Sequence, residues 1–131
     1  MKSEGKSLWT YTAYTLWKFF ETQPQLKGEI EFRKLKEIFF DILFKESKVV
    51  WLDGPGDLLA DLLFLKRIGV IDLEEDEAER IKIRLKDKGK LNGIAQIVKN
   101  SPRIIKVELN GEYTKRIDEG IESLAHSSFS N

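Results

Sequence analysis

The sequence predicts a mainly helical α+β domain with one small antiparallel β-ribbon. Two observations carry this prediction. Apolar residues recur at helical spacing up to Gly69, which is typical of a helix that faces a core. They are Leu58, Leu59, Leu62, Leu63, Leu65 and Ile68. Apolar and charged residues then alternate along residues 70–74 and again along residues 80–86. Period two with one apolar face predicts two half-buried strands. The polar run between them predicts a loop longer than a two-residue turn.

Length and composition indicate one soluble domain. The chain has 131 residues, of which 41% are hydrophobic and 34% charged, enough for a core without disulfides or metals. Lys plus Arg and Asp plus Glu number 22 each, so no net charge attracts polyanions. The absence of cysteine excludes thiolate chemistry, and with abundant Lys and Glu it is typical of thermophile proteins. Without a long apolar run, we expect a cytoplasmic protein that does not enter a membrane.

The first predicted helix, residues 8–21, is the most aromatic part of the chain. One helical face carries five apolar residues: Trp9, Ala13, Leu16, Trp17 and Phe20. Three more aromatic residues lie off that face: Tyr11, Tyr14 and Phe19. Either loops or the C-terminal segment cover them, or they form a homodimer contact, since such interfaces are rich in aromatic residues. A nucleic-acid stacking surface is disfavoured because only Lys18 lies nearby.

Two further helices precede the ribbon. Gln23-Pro24 ends the first helix, and residues 25–32 offer a short extended piece. Residues 32–45 predict a second helix with five apolar residues on its inner side: Leu35, Ile38, Phe39, Ile42 and Leu43. Residues 46–53 link it to the third helix. Asp53 is expected to cap that helix, with Pro55 in its first turn and Asp57 favourably placed at the positive end of the helix dipole.

The chain after the ribbon predicts more helix. Asp87 is expected to cap a fourth helix whose inner side carries Ile94, Ile97 and Val98. Residues 103–115 are either a hairpin around Asn110-Gly111 or a strand that leads into a final helix, residues 112–126. An apolar period of three or four favours the helix: Tyr113, Ile117, Ile121 and Leu124. We expect one domain over residues 1–100 and a C-terminal extension over residues 101–131, a candidate dimerisation element.

The order of these segments resembles the back half of winged helix-turn-helix domains, such as the MarR-like and PadR-like regulators of archaea and bacteria. The matching residues are LLFLKRIGVIDL, residues 62–73, and IKIRLKDKGK, residues 81–90, about a quarter of the chain. The resemblance implies that the third helix enters the major groove of DNA and that the ribbon is the wing. The link of residues 46–53 departs from the family, in which three or four residues are usual.

The sequence holds no catalytic or metal-binding constellation. The only histidine is His126, and many carboxylates fall in the run EEDEAE, residues 74–79, which is typical of a solvated loop. No nucleophile motif and no phosphate-binding loop occurs. We therefore expect a protein that is not an enzyme and that needs no metal or cofactor.

Basic residues at the end of the third helix and along the second strand are the candidate nucleic-acid contacts: Lys66, Arg67, Arg80, Lys82, Arg84, Lys86, Lys88 and Lys90. On the opposing interpretation, Asp72 and Glu74 lie across from Lys82 and Arg84 and cancel part of their field. The outer face of the third helix is expected to consist of Asp57, Ala60, Asp61 and Phe64. Because two of these four residues are carboxylates, this face is expected to bind DNA bases poorly.

Two functions remain open. The first is a dimeric transcriptional regulator that binds double-stranded DNA. The second is a winged-helix module that binds a protein partner, without sequence-specific DNA binding, through the Asp57, Asp61 and Phe64 face or through the aromatic helix. The candidate residues for a partner or homodimer interface combine both ends of the chain with the third helix: Trp9, Tyr11, Tyr14, Phe19, Phe64, Ile117, Ile121 and Leu124.

Overall fold

A computed structural model describes residues 9–43, 52, 54–78, 80–100, 115 and 117–122. Its elements follow one another in the order α1 (Trp9–Thr22), β1 (Glu29–Glu31), α2 (Phe32–Glu37), α3 (Pro55–Arg67), β2 (Ile71–Glu75), β3 (Ile81–Leu85) and α4 (Lys88–Asn100). A 3-10 turn, Pro24–Leu26, precedes β1, and α2 continues into a π-helical turn, Ile38–Leu43. Residues 117–122 are also helical. The predicted α+β class, mainly helical with a small antiparallel sheet, is confirmed.

The three strands of the described residues form one antiparallel sheet in the order β1-β3-β2. Ile83 at the centre of β3 lies opposite Ile30 in β1 and Leu73 in β2. Ile30 and Ile83 are buried, so alternation along the strands directs one face to the core and leaves charged side chains on the other. The strands predicted at these three places are confirmed. A loop joins β2 to β3, and the Asp76 N–H donates to the Arg80 carbonyl across its base (3.0 Å).

The end of α3 fixes how the chain enters the sheet. The Gly69 N–H donates to the Lys66 carbonyl (3.0 Å) and the Val70 N–H to the Leu65 carbonyl (2.9 Å), which is the Schellman pattern of a helix stop. Gly69 has φ +86°, a left-handed conformation that is energetically unfavourable for a residue with a Cβ atom. Val70 is fully buried, which fixes the position where the chain turns from α3 into β2. The predicted stop at Gly69 is thereby confirmed.

The described part of the chain begins α3 at Pro55. Gly54 precedes it with extended backbone and no side-chain hydrogen bond, and Asp53, the predicted cap, lies outside the described residues. Pro55 does occupy the first turn, and Asp57 is the acidic residue of that turn. Among the described residues, the fixed φ of Pro55 and the Asp57 charge at the helix N-terminus supply the start signal.

α1 is buried on more sides than the sequence suggested. Tyr11, Tyr14 and Phe19 are fully buried, which corrects the expectation that they lie off the inner face. Three residues assigned to that face are only half-buried: Trp9, Trp17 and Phe20. α1 packs against both α3 and α4, and the C-terminal helical segment adds a further contact, so one apolar stripe could not satisfy all its neighbours.

The C-terminal segment covers part of α1, one of the two alternatives for its aromatic residues. The Tyr14 hydroxyl donates to an Asp118 carboxylate oxygen (2.6 Å), and Ile117 and Ile121 are fully buried. Burial, helped by that hydrogen bond, raises the pKa of Tyr14 far above its usual range, so the phenol remains a proton donor. The predicted hairpin or strand at residues 103–114, Leu124 and His126 lie outside the described residues.

One helix, α4, turns differently from its predicted orientation. In α4, Leu91, Ala95 and Val98 are buried while Ile97 is exposed, so the inward placement of Ile97 is corrected. Asp87 caps α4 as predicted: its carboxylate accepts the Lys90 N–H (2.9 Å). In α2, Leu35, Ile38 and Phe39 are buried as predicted.

The Gly69 stop can be tested by substitution. We expect Gly69→Ala to lower the free energy of unfolding by about 1–2 kcal/mol, because alanine is strained at positive φ and its Cβ would lie 3.3 Å from the Lys90 ammonium nitrogen. Gly93→Ala is the matched control. Gly93 lies inside α4 with no atom near its missing Cβ, so alanine should raise stability there by about 0.5–1 kcal/mol. Urea unfolding measures both, and equal effects of the two substitutions would contradict the assignment.

Candidate nucleic-acid interface

The eight predicted nucleic-acid contacts separate into two groups in space. The first group, Arg80, Lys82 and Arg84, belongs to β3 and the residue before it, and each member is paired with a carboxylate. Arg84 lies 2.6 Å from Glu74 and 3.2 Å from Glu29. Lys82 lies 3.7 Å from the same Glu29. These charges are largely neutralised before any ligand arrives.

The sheet register explains this neutralisation. Asp72 lies opposite Arg84 and Glu74 opposite Lys82, as the sequence interpretation of cross-strand pairs predicted. β1 adds what the sequence did not indicate, because Glu29 lies opposite Arg84 on the other side of β3. A strand flanked by carboxylates on both sides presents little net positive charge. Such exposed pairs add only about 0–1 kcal/mol of stability each, so their main effect is on the local field.

The β2–β3 loop carries the opposite charge. With the end of β2 it forms the acidic tip of the hairpin, four exposed residues: Glu74, Glu75, Asp76 and Glu77. Asp76 accepts the backbone N–H groups of Ala78 and Arg80 (both 2.9 Å) and lies 3.1 Å from the Arg80 side chain. The bond from the Arg80 N–H is the main cause that lowers the pKa of Asp76, so this carboxylate stays ionised. The acidic tip therefore repels phosphates.

The second group lies at the other end of the hairpin, and we call this group of residues the basic end. Its five members are all exposed: Lys66, Arg67, Lys86, Lys88 and Lys90. Backbone hydrogen bonds bring the two contributing segments together. The Val70 carbonyl accepts the N–H groups of Lys86 (2.9 Å) and Asp87 (3.0 Å), and the Lys90 ammonium donates to the Ile68 carbonyl (2.9 Å). The last turn of α3 thus lies directly beside the β3–α4 turn.

The basic end keeps its positive charge. Within the part of the chain that the structure describes, none of its five cations has a carboxylate within ion-pair distance. Asp87, the acidic residue between them, is engaged as the cap of α4. Lys90 also satisfies a carbonyl at the C-terminus of α3, where a cation is favoured. Five exposed cations on two adjoining segments therefore form one positive surface.

The outer face of α3 is rotated from its predicted position. Leu58, Leu62 and Leu65 are buried, whereas Leu63 is 52% exposed. The exposed residues of the helix body form one stripe: Gly56, Asp57, Ala60, Leu63, Lys66 and Arg67. Asp61 and Phe64 instead lie against α1, which corrects the prediction that both face outward. The stripe consequently holds one carboxylate, Asp57, in place of two.

Contacts with α1 account for this rotation. The buried Thr12 hydroxyl donates to an Asp61 carboxylate oxygen (2.7 Å), and the rings of Trp9 and Phe64 lie 4.7 Å apart. Burial is the main cause that raises the pKa of Asp61; the Asp57 charge adds to it, and the Thr12 hydrogen bond opposes it. A polar pair and an aromatic pair therefore join the two helices at their rim.

Five of the eight predicted interface residues are buried inside the chain: Tyr11, Tyr14, Phe19, Ile117 and Ile121. Their side chains do not supply surface to a partner in this structure. Trp9 and Phe64 are half-buried, and Leu124 lies outside the described residues. Leu63 and Ile97 are the large apolar side chains that the described residues expose most. The sequence analysis placed both side chains in the core because of their helical periodicity, and therefore did not predict that they are exposed.

Comparison with known proteins adds no relative: no family model, curated protein or solved structure matches this chain. Across the described ranges, no helix combines the length and hydrophobicity that a membrane crossing requires. The same residues bring together no group of three or more side chains suited to hold a metal ion. The inference of function depends on the geometry of the chain itself.

The burial of the Asp61 carboxyl group makes stability depend on pH. The folded-state pKa of Asp61 is raised, so its contribution is fully present below the unfolded pKa and is lost as pH rises through the folded value. At pH 7 the buried charge is a cost. We expect Asp61→Asn, whose amide oxygen can still accept from Thr12, to be more stable than the parent at pH 7, because it removes the buried charge. The gain should shrink toward pH 3.

Urea unfolding at both pH values measures this effect. Asp57→Asn is the control, because it removes an exposed charge that favours the helix N-terminus and should lower stability slightly. A loss of stability in Asp61→Asn at pH 7 would mean that the ionised carboxylate is the favoured state.

Proposed function

We propose that this chain is a winged helix-turn-helix transcriptional regulator that binds double-stranded DNA through its basic end. The observation that carries the proposal is the set of five cations around the end of α3, which have no ion-pair partner among the described residues and are held there by the Val70 carbonyl and by Lys90. Binding to DNA draws much of its free energy from Lys and Arg side chains that replace counterions along the phosphate backbone. A cluster of exposed cations on two segments joined by backbone hydrogen bonds suits such binding.

The fold gives this proposal support. A third helix that runs into a two-stranded ribbon, with β1 closing the sheet in the order β1-β3-β2, agrees with the arrangement that the sequence resemblance implies. The rotated outer face of α3 is also better suited to a groove than the sequence indicated. Ala60 and Leu63 can contact thymine methyl groups, and Arg67 is a donor for phosphate or guanine.

The charge distribution dictates a particular binding mode. In the winged-helix families that the chain resembles, the wing contacts phosphates. Here the acidic tip is repelled by them, so we place the contacts at the base of the hairpin, on Lys86 and Lys88, and on the last turn of α3. The acidic tip then points away from the duplex. This mode assigns no DNA contact to Arg80, Lys82 or Arg84, which carboxylates already engage.

The acidic tip is the one observation that favours the second candidate, a winged-helix module for a protein partner. A partner with a basic surface would be attracted to these carboxylates, although Glu74 and Asp76 are already paired with Arg84 and Arg80. Such binding would depend on salt in the same direction as DNA binding. The face formed by Asp57, Asp61 and Phe64 gives this candidate less support, because Asp61 and Phe64 lie against α1. A homodimer stays a prediction; the half-buried Trp9 and Phe64 are its remaining aromatic candidates.

Charge-matched variants test the DNA proposal. We expect Arg67→Gln/Lys86→Gln/Lys88→Gln to weaken binding to a random-sequence duplex by tenfold or more at moderate salt, roughly the effect of losing three phosphate contacts. The slope of log K against log salt should fall by roughly one for each lost contact. Fluorescence anisotropy with labelled duplex over a salt series measures both quantities.

The control removes the same number of positive charges from the paired group: Arg80→Gln/Lys82→Gln/Arg84→Gln. Because those cations are already neutralised, this variant should retain most of the affinity and the salt slope. Equal losses in both variants would show that net charge alone matters. An absence of DNA binding by the parent chain at low salt would remove the proposal and favour the second candidate.

A further inference from the structure

A pocket of about 340 Å³ opens beside the basic end, where α1, β3 and α4 meet. Its apolar wall includes Trp17 and Phe20 from α1, Leu85 from β3 and Leu91 from α4. Pockets that hold small ligands have volumes of roughly 300–1,000 Å³ and are lined mainly by apolar and aromatic side chains. This pocket lies at the lower end of that range and has the composition of a ligand site.

The backbone around the pocket is tightly held. The Leu85 N–H donates to the Gly28 carbonyl (2.7 Å), and a Cβ atom on Gly28 would lie 3.0 Å from the Leu85 Cβ. Gly28 has φ +77° and Lys27 has φ +56°, so a left-handed turn brings the Lys27 side chain to the pocket. These contacts hold the backbone around the pocket in place, which lowers the cost of ordering it on binding.

The polar lining of the pocket is predominantly positive. Lys27, Lys86 and Lys88 line it, and Glu21 is its acidic residue. Apolar walls under an excess of ammonium groups suit a molecule with an apolar body and one negative charge. An inorganic anion would leave the walls unfilled, and a neutral apolar molecule would leave the lysines without a partner.

We propose that this pocket binds a small organic carboxylate, with its apolar body against Trp17 and Leu91 and its carboxylate among Lys27, Lys86 and Lys88. The site itself does not depend on the proposed function. One consequence does rest on it. Lys86 and Lys88 also belong to the basic end, so a bound carboxylate neutralises positive charge that DNA would use, and the ligand should act as an effector that releases DNA.

Direct titration tests the site without DNA. Isothermal calorimetry of the full chain should show one molecule of octanoate bound per chain. Octanol, which lacks the charge, and acetate, which lacks the apolar body, should each bind at least tenfold more weakly. Failure of octanoate to bind, or equal binding of octanol, would overturn the proposal.

Substitution locates the site. Lys27→Asn removes one ammonium group while keeping a residue that tolerates positive φ, and we expect it to weaken octanoate binding at least threefold. Lys99→Asn, which removes a charge from the exposed end of α4, is the control and should leave octanoate binding unchanged. Circular dichroism verifies that both variants fold. Equal affinity in Lys27→Asn and Lys99→Asn would place any octanoate elsewhere and overturn the assignment.

A DNA titration run in parallel separates the two proposals. Octanoate binding without any DNA binding would support the pocket and refute the proposed function. DNA binding that octanoate fails to weaken, in a chain shown to bind octanoate, would overturn the effector role. Competition that is reduced in Lys27→Asn would support it, because Lys27 lies in the pocket but outside the basic end.

Discussion

The described structure depends on one carbonyl group. The oxygen of Val70 accepts the N–H groups of both Lys86 and Asp87, immediately after the stop at Gly69 turns the chain from α3 into β2. This pair of hydrogen bonds joins the end of α3 to the point where β3 leaves the sheet and α4 begins. The orientation of the hairpin, the start of α4 and the meeting of the cations around Ile68 all follow from it. Val70 is fully buried, so the bonds are shielded from competing water.

The same joint separates charge. At one end of the hairpin carboxylates surround the turn, and at the other end five cations have no described acidic partner. The chain has a formal net charge of zero, but its negative and positive charges are concentrated at opposite ends of the hairpin. β3 has five residues, about 17 Å at the usual rise per residue. That distance exceeds the Debye length of about 10 Å at 0.1 M salt, so each end acts on its surroundings largely alone.

Local signals in the sequence were sufficient for much of the fold. Alternation predicted β2 and β3, glycine with a basic last turn predicted the stop at Gly69, and Asp87 was predicted as a cap. These features depend on neighbouring residues alone. The rotation of α3 and the burial of Tyr11 depend on what packs against a helix. When α1 contacts α3, α4 and the C-terminal segment together, no single periodic stripe describes its core.

For the same reason, only part of the candidate site could be predicted from the sequence. All five cations of the basic end were among the predicted contacts, because basic residues can be counted. Their separation from Arg80, Lys82 and Arg84 was not accessible, because it requires the register of β1 and the position of Glu29. The pocket was missed entirely. Its lining joins residues 17–28 with residues 85–91, and no spacing within either segment indicates that the two are neighbours.

The separated charges also bear on how copies of this chain meet in solution. A carboxylate-rich hairpin loop on one molecule complements the lysine-rich surface of the next, and the two patches differ. Such a head-to-tail contact does not close on itself and can extend into open strings. At low ionic strength this attraction is weakly screened. The conditions that strengthen the attraction of the cations to phosphate thus also strengthen the attraction between copies of the chain.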